Sequence, residues 1–162
     1  MKKIIFVVLV IGLFLISGCS PKDKTQKDFH KIAEGLGMVS DNIKNDMIGR
    51  IRESNESLTL LNENINIKKN QEKTLYYGIR NERESASNFD VEIYCGKGMK
   101  GGNGNNIKFD YFGETNIIKK NETEVLPAII KPNPDTVATT YQCYLNIDSG
   151  NYASKVFYVT VT

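Results

Sequence analysis

The sequence has no tryptophan, a single histidine and almost no net charge. A blue-copper site requires two histidines with its cysteine, so His30 alone excludes that class. Lys2 and Lys3 account for the formal charge of +2, and 19 basic and 19 acidic residues remain from Cys19 onward. A nucleic-acid-binding protein needs a concentrated basic surface to displace counterions from phosphate. We therefore expect no nucleic-acid partner.

The sequence also lacks the usual combinations of catalytic residues. Serine and cysteine hydrolases place a nucleophile beside a base, usually histidine, and His30 lies well before the strand-patterned part of the chain. Residues 96–106 are rich in glycine and contain Gly-Lys-Gly, but no Gly-Lys-Ser/Thr leads into a helix. This pattern does not match a phosphate-binding loop, and we interpret the segment as a loop between strands.

A carboxylate-based envelope hydrolase is the remaining enzymatic alternative. Asp90, Glu92, Asp110 and Glu114 fall on neighbouring predicted strands, where two of them would be available for general acid and base catalysis. Strand alternation places Asp90, Glu92 and Asp110 on the solvent side, which favours an ordinary hydrated surface. The sequence predicts a protein that is not an enzyme, with no catalytic residues, no metal and no cofactor.

The longest apolar run stands at the start of the chain. Residues 4–16 follow Lys2 and Lys3, and as a helix they would span roughly 20 Å, short of the ~30 Å hydrocarbon core. This length is typical of a signal peptide rather than of a transmembrane helix. Ser17 and Gly18 supply the small side chains that a signal peptidase requires. The sequence thus predicts a signal peptide over residues 1–18.

Ile16-Ser17-Gly18-Cys19 resembles the lipobox of bacterial-type prolipoproteins. The resemblance implies cleavage after Gly18 and a diacylglyceryl group on the thiol of Cys19, so that the protein is lipid-anchored in the bilayer on the extracytoplasmic side of the cell membrane or at the cell surface. Acyl chains contribute ~0.8 kcal/mol per buried CH₂, and two or three of them anchor stably. Residues 19–27 are polar and are interpreted as the lipidated cysteine and a flexible tether.

Two alternatives to this leader remain open. An ordinary signal peptide with a chance cysteine would leave no lipid on the mature chain. A pilin-like filament subunit would keep residues 4–16 as its N-terminal apolar helix.

Residues 28–53 carry apolar side chains with helical spacing. The clearest set is Ile43, Met47 and Ile51. Ser40 or Asp41 is suited to cap this helix. We expect one or two short helices whose apolar stripe packs against the following domain. A helix that binds a partner or a membrane surface is the alternative.

From residue 57 to residue 162 the apolar residues alternate with polar ones between turn signals. One strand is expected to bury Phe89, Val91, Ile93 and Cys95. A long later strand is expected to place Val137, Thr139, Tyr141, Cys143, Leu145 and Ile147 on one face. Pro127 lacks a ladder N–H and predicts that its strand is at an edge or broken. Roughly seven to nine short strands in about 105 residues are typical of a β-sandwich.

Tyr141-Gln142-Cys143, preceded by Asp135 and Ala138, resembles the F strand of immunoglobulin-like domains. In those domains a tyrosine two residues before the cysteine forms the tyrosine corner. The resemblance implies an Ig-like antiparallel β-sandwich, similar to small modules on bacterial and archaeal surface proteins. Cys95 falls on the predicted C strand.

Cys95 and Cys143 are left once Cys19 is assigned to lipid. Both have inward-facing parity, and an exported chain meets an oxidising compartment, so we expect a disulfide between them. Two buried free thiols are the alternative. Two cysteines and a distant histidine fall short of the four ligands of a structural zinc site, and Cys-x-x-Cys is absent.

Two further signals concern the surface. Asn55 and Asn121 begin Asn-x-Ser/Thr sequons and are possible N-glycosylation sites. Tyr76, Tyr94 and Tyr144 have outward-facing parity. We interpret them as cross-strand packing, with a recognition patch as the alternative.

These observations together predict a membrane-anchored extracytoplasmic lipoprotein with a non-enzymatic Ig-like binding or structural module. Its expected partner is a protein or an envelope polymer.

Overall fold

The computed structural model describes residues 39–96 and 107–162. The predicted signal peptide, Cys19, the tether, His30 and most of the glycine-rich loop lie outside the described residues, so the interpretations placed on them stay predictions. The described chain forms one α-helix, eight strands and a short 3-10 helix at Asp148–Gly150. These elements are α1 (Asp41–Ser54), β1 (Leu58–Leu60), β2 (Asn64–Ile67), β3 (Lys73–Arg80), β4 (Val91–Cys95), β5 (Ile107–Tyr111), β6 (Thr123–Pro132), β7 (Thr140–Ile147) and β8 (Ala153–Val161).

The strands form two four-stranded sheets. The first has the order β1-β3-β6-β5 and the second the order β2-β8-β7-β4. If the strands are lettered A, A′, B, C, D, E, F and G along the chain, these sheets are ABED and A′GFC, the arrangement of an Ig-like sandwich. The predicted fold class is confirmed with one difference. Strand β2 pairs with β8 in parallel, with Asn64 opposite Tyr158, so the second sheet is mixed rather than purely antiparallel.

The core lies between the two sheets and is filled by alternate residues of both. Tyr77 and Ile79 of β3, Leu145 of β7, and Phe157 and Val159 of β8 are fully buried. The period-two alternation of the sequence therefore identifies the residues that face the core, because successive strand side chains point to opposite sides of a sheet.

The predicted helix forms over the second half of residues 28–53. Ser40 is its N-cap, and the Ser40 hydroxyl accepts a 3.4 Å hydrogen bond from the N–H of Ile43. The helix ends at Asn55, which adopts a left-handed conformation (φ 53°) and donates its N–H to the carbonyl of Ile51. Asparagine tolerates that conformation better than most residues, which makes it a suitable C-cap.

Helix α1 packs on the outer face of the first sheet. Met47 and Ile51 are fully buried, and Ile51 contacts Gly78 on the outward side of β3. The expectation that this apolar stripe packs against the domain is confirmed. No helix among the described residues has the length and apolarity needed to cross a bilayer.

The prediction for Pro127 is wrong, because β6 is an unbroken strand in the middle of the first sheet. Pro127 stands opposite Tyr76, and the carbonyl of Tyr76 is turned away from β6 towards Leu61. In an antiparallel pair, two opposite residues either exchange both backbone hydrogen bonds or direct their N–H and C=O groups away from each other. Tyr76 and Pro127 form the second kind of pair. The missing N–H of Pro127 therefore points to the β5 side, where the pairing of β5 with β6 stops at Ala128, one residue short of Pro127. The proline removes no hydrogen bond from the ladder.

The long strand β7 begins later than predicted. It starts at Thr140, whereas Val137 is 63% exposed and Thr139 is also exposed. The chain crosses here from the first sheet to the second through a turn closed by the N–H of Thr136 and the carbonyl of Asn133. Regular pairing with β8 starts only after this crossing, at Thr140 opposite Thr160.

Candidate functional site

The residues that suggested an Ig-like domain form a tyrosine corner. The hydroxyl of Tyr141 donates a 2.9 Å hydrogen bond to the carbonyl of Val137. Cys143 stands directly opposite Cys95 in the β4–β7 register, and the two form a disulfide. The bond joins neighbouring C and F strands of one sheet, whereas the disulfide of antibody domains joins the two sheets. These groups stabilise the sandwich and leave no reactive thiol at this position.

The four candidate carboxylates do not form a cluster. Asp90 and Glu114 stand opposite each other in an isolated bridge, Glu92 lies on β4 of the second sheet, and Asp110 lies on β5 of the first. Nowhere in residues 39–96 and 107–162 do three histidine, cysteine or acidic side chains come close enough to hold a metal ion.

Asp110 belongs to an ion-pair group on the first sheet. The ammonium of Lys131 lies 2.9 Å from carboxylate oxygens of both Asp110 and Glu72. The hydrogen bonds that Lys131 donates to Asp110, first, and to Glu72 raise the pKa of Lys131 above its ordinary value. Asp110 is therefore the acceptor of an exposed ion pair, a role that accounts for its position without catalysis.

Arg83 ties together the loops at one end of the sandwich. Its guanidinium forms an ion pair with Asp148 and lies 4.4 Å from the ring centre of Phe89 and 4.9 Å from that of Tyr152. The hydroxyl of Tyr152 in turn donates to the carbonyl of Arg80. A planar guanidinium suits such stacking better than an ammonium does. The cluster holds these loops together.

Both sequon asparagines lie in exposed turns. Asn55 caps the C-terminus of α1 and Asn121 precedes β6, with φ angles of 53° and 62°. Both residues are solvent-exposed. Their placement meets the first condition for glycan attachment, access to the side-chain amide, and their use as glycosylation sites stays a prediction.

The outer face of the second sheet holds a group of aromatic and amide side chains that we call the tyrosine face. Its members are Tyr94, Gln142, Tyr144, Asn146, Val156 and Tyr158. Strand register brings them together, because Tyr144 stands opposite both Tyr94 and Val156, and Gln142 stands opposite Tyr158. Tyr158 and Val156 are 42% and 38% exposed, which is unusual for large apolar groups in this chain.

Hydrogen bonds fix the side chains of the tyrosine face. The rings of Tyr94 and Tyr144 stack with centres 5.3 Å apart and planes inclined by 23°. The amide of Gln142 donates to the hydroxyl of Tyr144 at 2.9 Å, and the amide of Asn146 donates to that of Tyr94 at 3.3 Å. Ser154 donates to the amide oxygen of Asn146 at 2.7 Å. Tyr94, Gln142, Tyr144 and Asn146 are thus held in place by one another and by Ser154.

The tyrosine face is also poor in charge. Glu92 is the one charged side chain at an outward position of β2, β4, β7 and β8, and the remaining outward positions around the face carry Asn64, Asn66, Thr140, Ser154 and Thr160. One quarter of the whole chain is charged, so a surface of this size would ordinarily carry several lysines and acids. This depletion marks the face as different from the rest of the surface.

A groove of about 580 Å³ lies on the other side of the sandwich, between α1 and the first sheet. Val39, Lys44, Ile117, Glu124 and Val125 are among its lining residues, and Ile117 is 74% exposed. Val39 is also the first described residue. The groove is therefore next to the point where the N-terminal part of the chain joins the domain.

Sequence reasoning found part of the tyrosine face. The outward parity of Tyr94, Tyr144 and Tyr158 is visible in the alternation, whereas Tyr76, also predicted to face outward, lies on the other sheet. Gln142 and Asn146 were not identified, although they share the parity of Tyr144. The useful signal would have been a strand whose outward positions are all uncharged.

No protein-family model matches the chain, and no curated protein matches it either. Solved structures resemble the fold of this chain only weakly. Domains 4 and 5 of the S-layer protein SbsC give a TM-score of 0.45 at 9% identity, covering 66% of this chain and 45% of that one. A family 123 glycoside hydrolase from Clostridium perfringens gives 0.44 at 15% identity, covering 69% and 24%.

The CsuC–CsuE chaperone–tip adhesion subunit complex of Acinetobacter baumannii Csu pili gives a TM-score of 0.38 at 9% identity, covering 65% of this chain and 56% of that one. The chain thus spans between 24% and 56% of the length of these three structures. Overlap at this level transfers no ligand and no activity to this chain.

Proposed function

We propose that the chain is a membrane-anchored extracytoplasmic lipoprotein whose Ig-like sandwich is a non-enzymatic binding module. The observation that carries the binding role is the tyrosine face, a charge-poor surface on which the rings of Tyr94 and Tyr144 stack and that of Tyr158 is exposed. Aromatic side chains are enriched and charged ones depleted where proteins contact partners. The partner is an envelope polymer or a neighbouring protein.

The position of the N-terminal segment supports this arrangement. Helix α1 and Val39 lie on the first sheet, and the tyrosine face lies on the outside of the second. The two sheets of a sandwich are about 10 Å apart. A lipidated tether that joins the domain at α1 therefore leaves the tyrosine face accessible from the side away from the attachment point.

The anchor is tested by the intact mass of protein extracted from host membranes. A mature chain that begins at Cys19 and carries added acyl mass supports the proposal, and Cys19→Ala should lack the acyl mass. A chain that retains residues 4–16 without acyl mass would instead support the pilin-like filament subunit or a simple apolar anchor.

The binding role is tested by photo-crosslinking in intact cells. A benzophenone amino acid replaces Tyr158 in one variant and Lys108, an exposed residue on the outer face of the first sheet, in a matched control. A covalent adduct that forms at position 158 in clear excess over position 108 supports the tyrosine face as the contact surface. Equal labelling at the two positions contradicts it.

A further inference from the structure

We infer that the tyrosine face binds an uncharged polysaccharide laid across β8, β7 and β4. The inference rests on the proposed function, because it requires that the tyrosine face is the contact surface. It goes further by assigning the chemical class of the partner.

The three tyrosines stand on three successive strands. Tyr94 lies on β4, Tyr144 opposite it on β7, and Tyr158 on β8 next to Gln142, two residues from Tyr144. Neighbouring strands are about 4.8 Å apart, close to the length of one hexose unit in an extended glycan. The rings of Tyr94 and Tyr144 stack on each other, so the ring most open to the C–H face of a sugar is that of Tyr158, which is 42% exposed.

The amides beside the rings supply polar groups at fixed positions. Gln142 and Asn146 each use an amide N–H to hold a tyrosine hydroxyl. An amide has a second N–H and an acceptor oxygen, and a phenol that accepts a hydrogen bond still has its own O–H to donate. Donors and acceptors thus lie beside the rings, where the amide oxygen of Asn146 already accepts one hydrogen bond from Ser154. Sugar hydroxyls, which both donate and accept, match this arrangement.

The charge distribution selects an uncharged ligand. A polyanion would meet the carboxylate of Glu92 and no lysine or arginine at the outward positions of β2, β4, β7 and β8. A polycation would find a single carboxylate. Because removing an unpaired charge from water is costly, either polymer would bind this face poorly. A neutral glycan has no such cost.

A protein partner fits the same surface less well. The buried centres of protein interfaces are enriched in Trp, Phe, Met and Arg as well as Tyr, and their anchors fill well-packed pockets. The tyrosine face carries tyrosines, amides and Val156 but none of those other four residue types. An exposed aromatic ring among polar neutral groups favours a ligand with apolar C–H faces and many hydroxyls.

The binding test is native affinity electrophoresis of detergent-extracted full-length protein. Gels contain a soluble β-glucan, a mannan, a galactan or a soluble chitin, and parallel gels contain polygalacturonate or dextran sulfate. We expect at least one neutral polymer to retard the protein. Tyr158→Ala should weaken the affinity for that polymer roughly tenfold, about 1.4 kcal/mol, because it removes the exposed ring of the face. Tyr158→Phe should keep most of it because the ring remains.

Two controls separate a neutral ligand from a charged one. Glu92→Gln and a change from about 0.05 M to about 0.5 M salt should leave the affinity for the neutral polymer unchanged, because screening acts only on charges. Lys108→Ala should also leave it unchanged. Retardation by none of the neutral polymers, or only by a charged polymer in a salt-sensitive way, would overturn the inference.

The crosslinked adduct at position 158 distinguishes the two levels of the proposal. An adduct that acid hydrolysis converts to monosaccharides and that protease treatment leaves attached is a glycan and supports the inference. An adduct that is another protein, or a second copy of this chain, overturns the inference while the tyrosine face remains a contact surface. Equal labelling at positions 158 and 108 contradicts the proposed function itself.

Discussion

Ile51 of α1 packs directly on the backbone of Gly78 in β3. A β-carbon added at Gly78 would lie 2.7 Å from Cδ1 of Ile51 and 3.4 Å from Cε of Met47. Both of these side chains are fully buried, and close-packed groups cannot move aside without disturbing their other contacts. The absence of a side chain at position 78 is therefore what allows the helix to lie close to the sheet.

We expect Gly78→Ala to lower the free energy of unfolding by about 1–3 kcal/mol, the usual cost of overpacking a buried contact. Urea denaturation followed by far-UV circular dichroism measures the change. Gly49→Ala is the matched control, because nothing lies within 4 Å of a β-carbon there. Alanine favours a helix interior by up to about 1 kcal/mol over glycine, so this variant should be slightly more stable than the wild type.

A double-mutant cycle identifies the contact responsible. In an Ile51→Ala background the clash is removed, so the cost of Gly78→Ala should largely disappear. An equal cost in both backgrounds would mean that the added methyl group acts elsewhere in the sheet.

The tyrosine corner predicts a second stability change. Tyr141→Phe removes the 2.9 Å hydrogen bond to the carbonyl of Val137 and keeps the ring. We expect a loss of about 1 kcal/mol, typical of one intramolecular hydrogen bond, measured by urea denaturation. Tyr158→Phe, on the exposed face of the same sheet, should stay within about 0.5 kcal/mol of the wild type. Equal effects would mean that the corner bond does not stabilise the crossing into β7.

The strands and their buried residues could be predicted because alternation along the chain depends on local burial. The residues that face each other across strands could not, because they depend on strand order. Pro127 illustrates the difference. Its missing N–H would break a ladder only on the side to which it points, and that side is decided by Tyr76 and by the end of β5. Neither is visible in the sequence around the proline.

The same limit applies to the tyrosine face. The outward parity of Tyr94 and Tyr144 follows from their own strands, but their stacking requires that β4 lie beside β7 in one particular register. Tyr158 joins them because β8 pairs with the other edge of β7. A surface assembled from three strands is a long-range property, so the sequence showed its members without their arrangement.

We expect the protein to become more stable when the hydroxyl of Tyr77 is removed. Its side chain is fully buried, and its hydroxyl has no hydrogen-bond partner among the described residues. Burying such a group costs about 1–3 kcal/mol. Tyr77→Phe keeps the ring and removes the hydroxyl, so we expect it to raise the free energy of unfolding at neutral pH by about 1 kcal/mol. A clear loss of stability would contradict the unpaired state of this hydroxyl.

The pH dependence provides an independent check on Tyr77. Burial, followed by the nearby charge of Glu124 and then by Tyr111, raises the pKa of the Tyr77 phenol well above its ordinary value of 10.0. As the pH rises through 10.0 the unfolded chain loses this proton while the folded protein keeps it. This proton therefore leaves the free energy of unfolding unchanged below pH 10.0 and lowers it above that pH, by up to about 1.4 kcal/mol per pH unit. The free energy of unfolding, measured between about pH 9 and about pH 11, should fall less steeply with pH for Tyr77→Phe than for the wild type.

The disulfide between Cys95 and Cys143 predicts a large effect of reductant. The two cysteines are 48 residues apart, and closing a loop of this size stabilises a protein by about 4 kcal/mol in the chain-entropy model. Reductant should therefore lower the urea midpoint of the wild type and raise its intact mass by two hydrogens. The paired variant Cys95→Ala/Cys143→Ala should have a low midpoint with or without reductant. If the wild type has two titratable thiols and the same urea midpoint with and without reductant, these cysteines are buried and free.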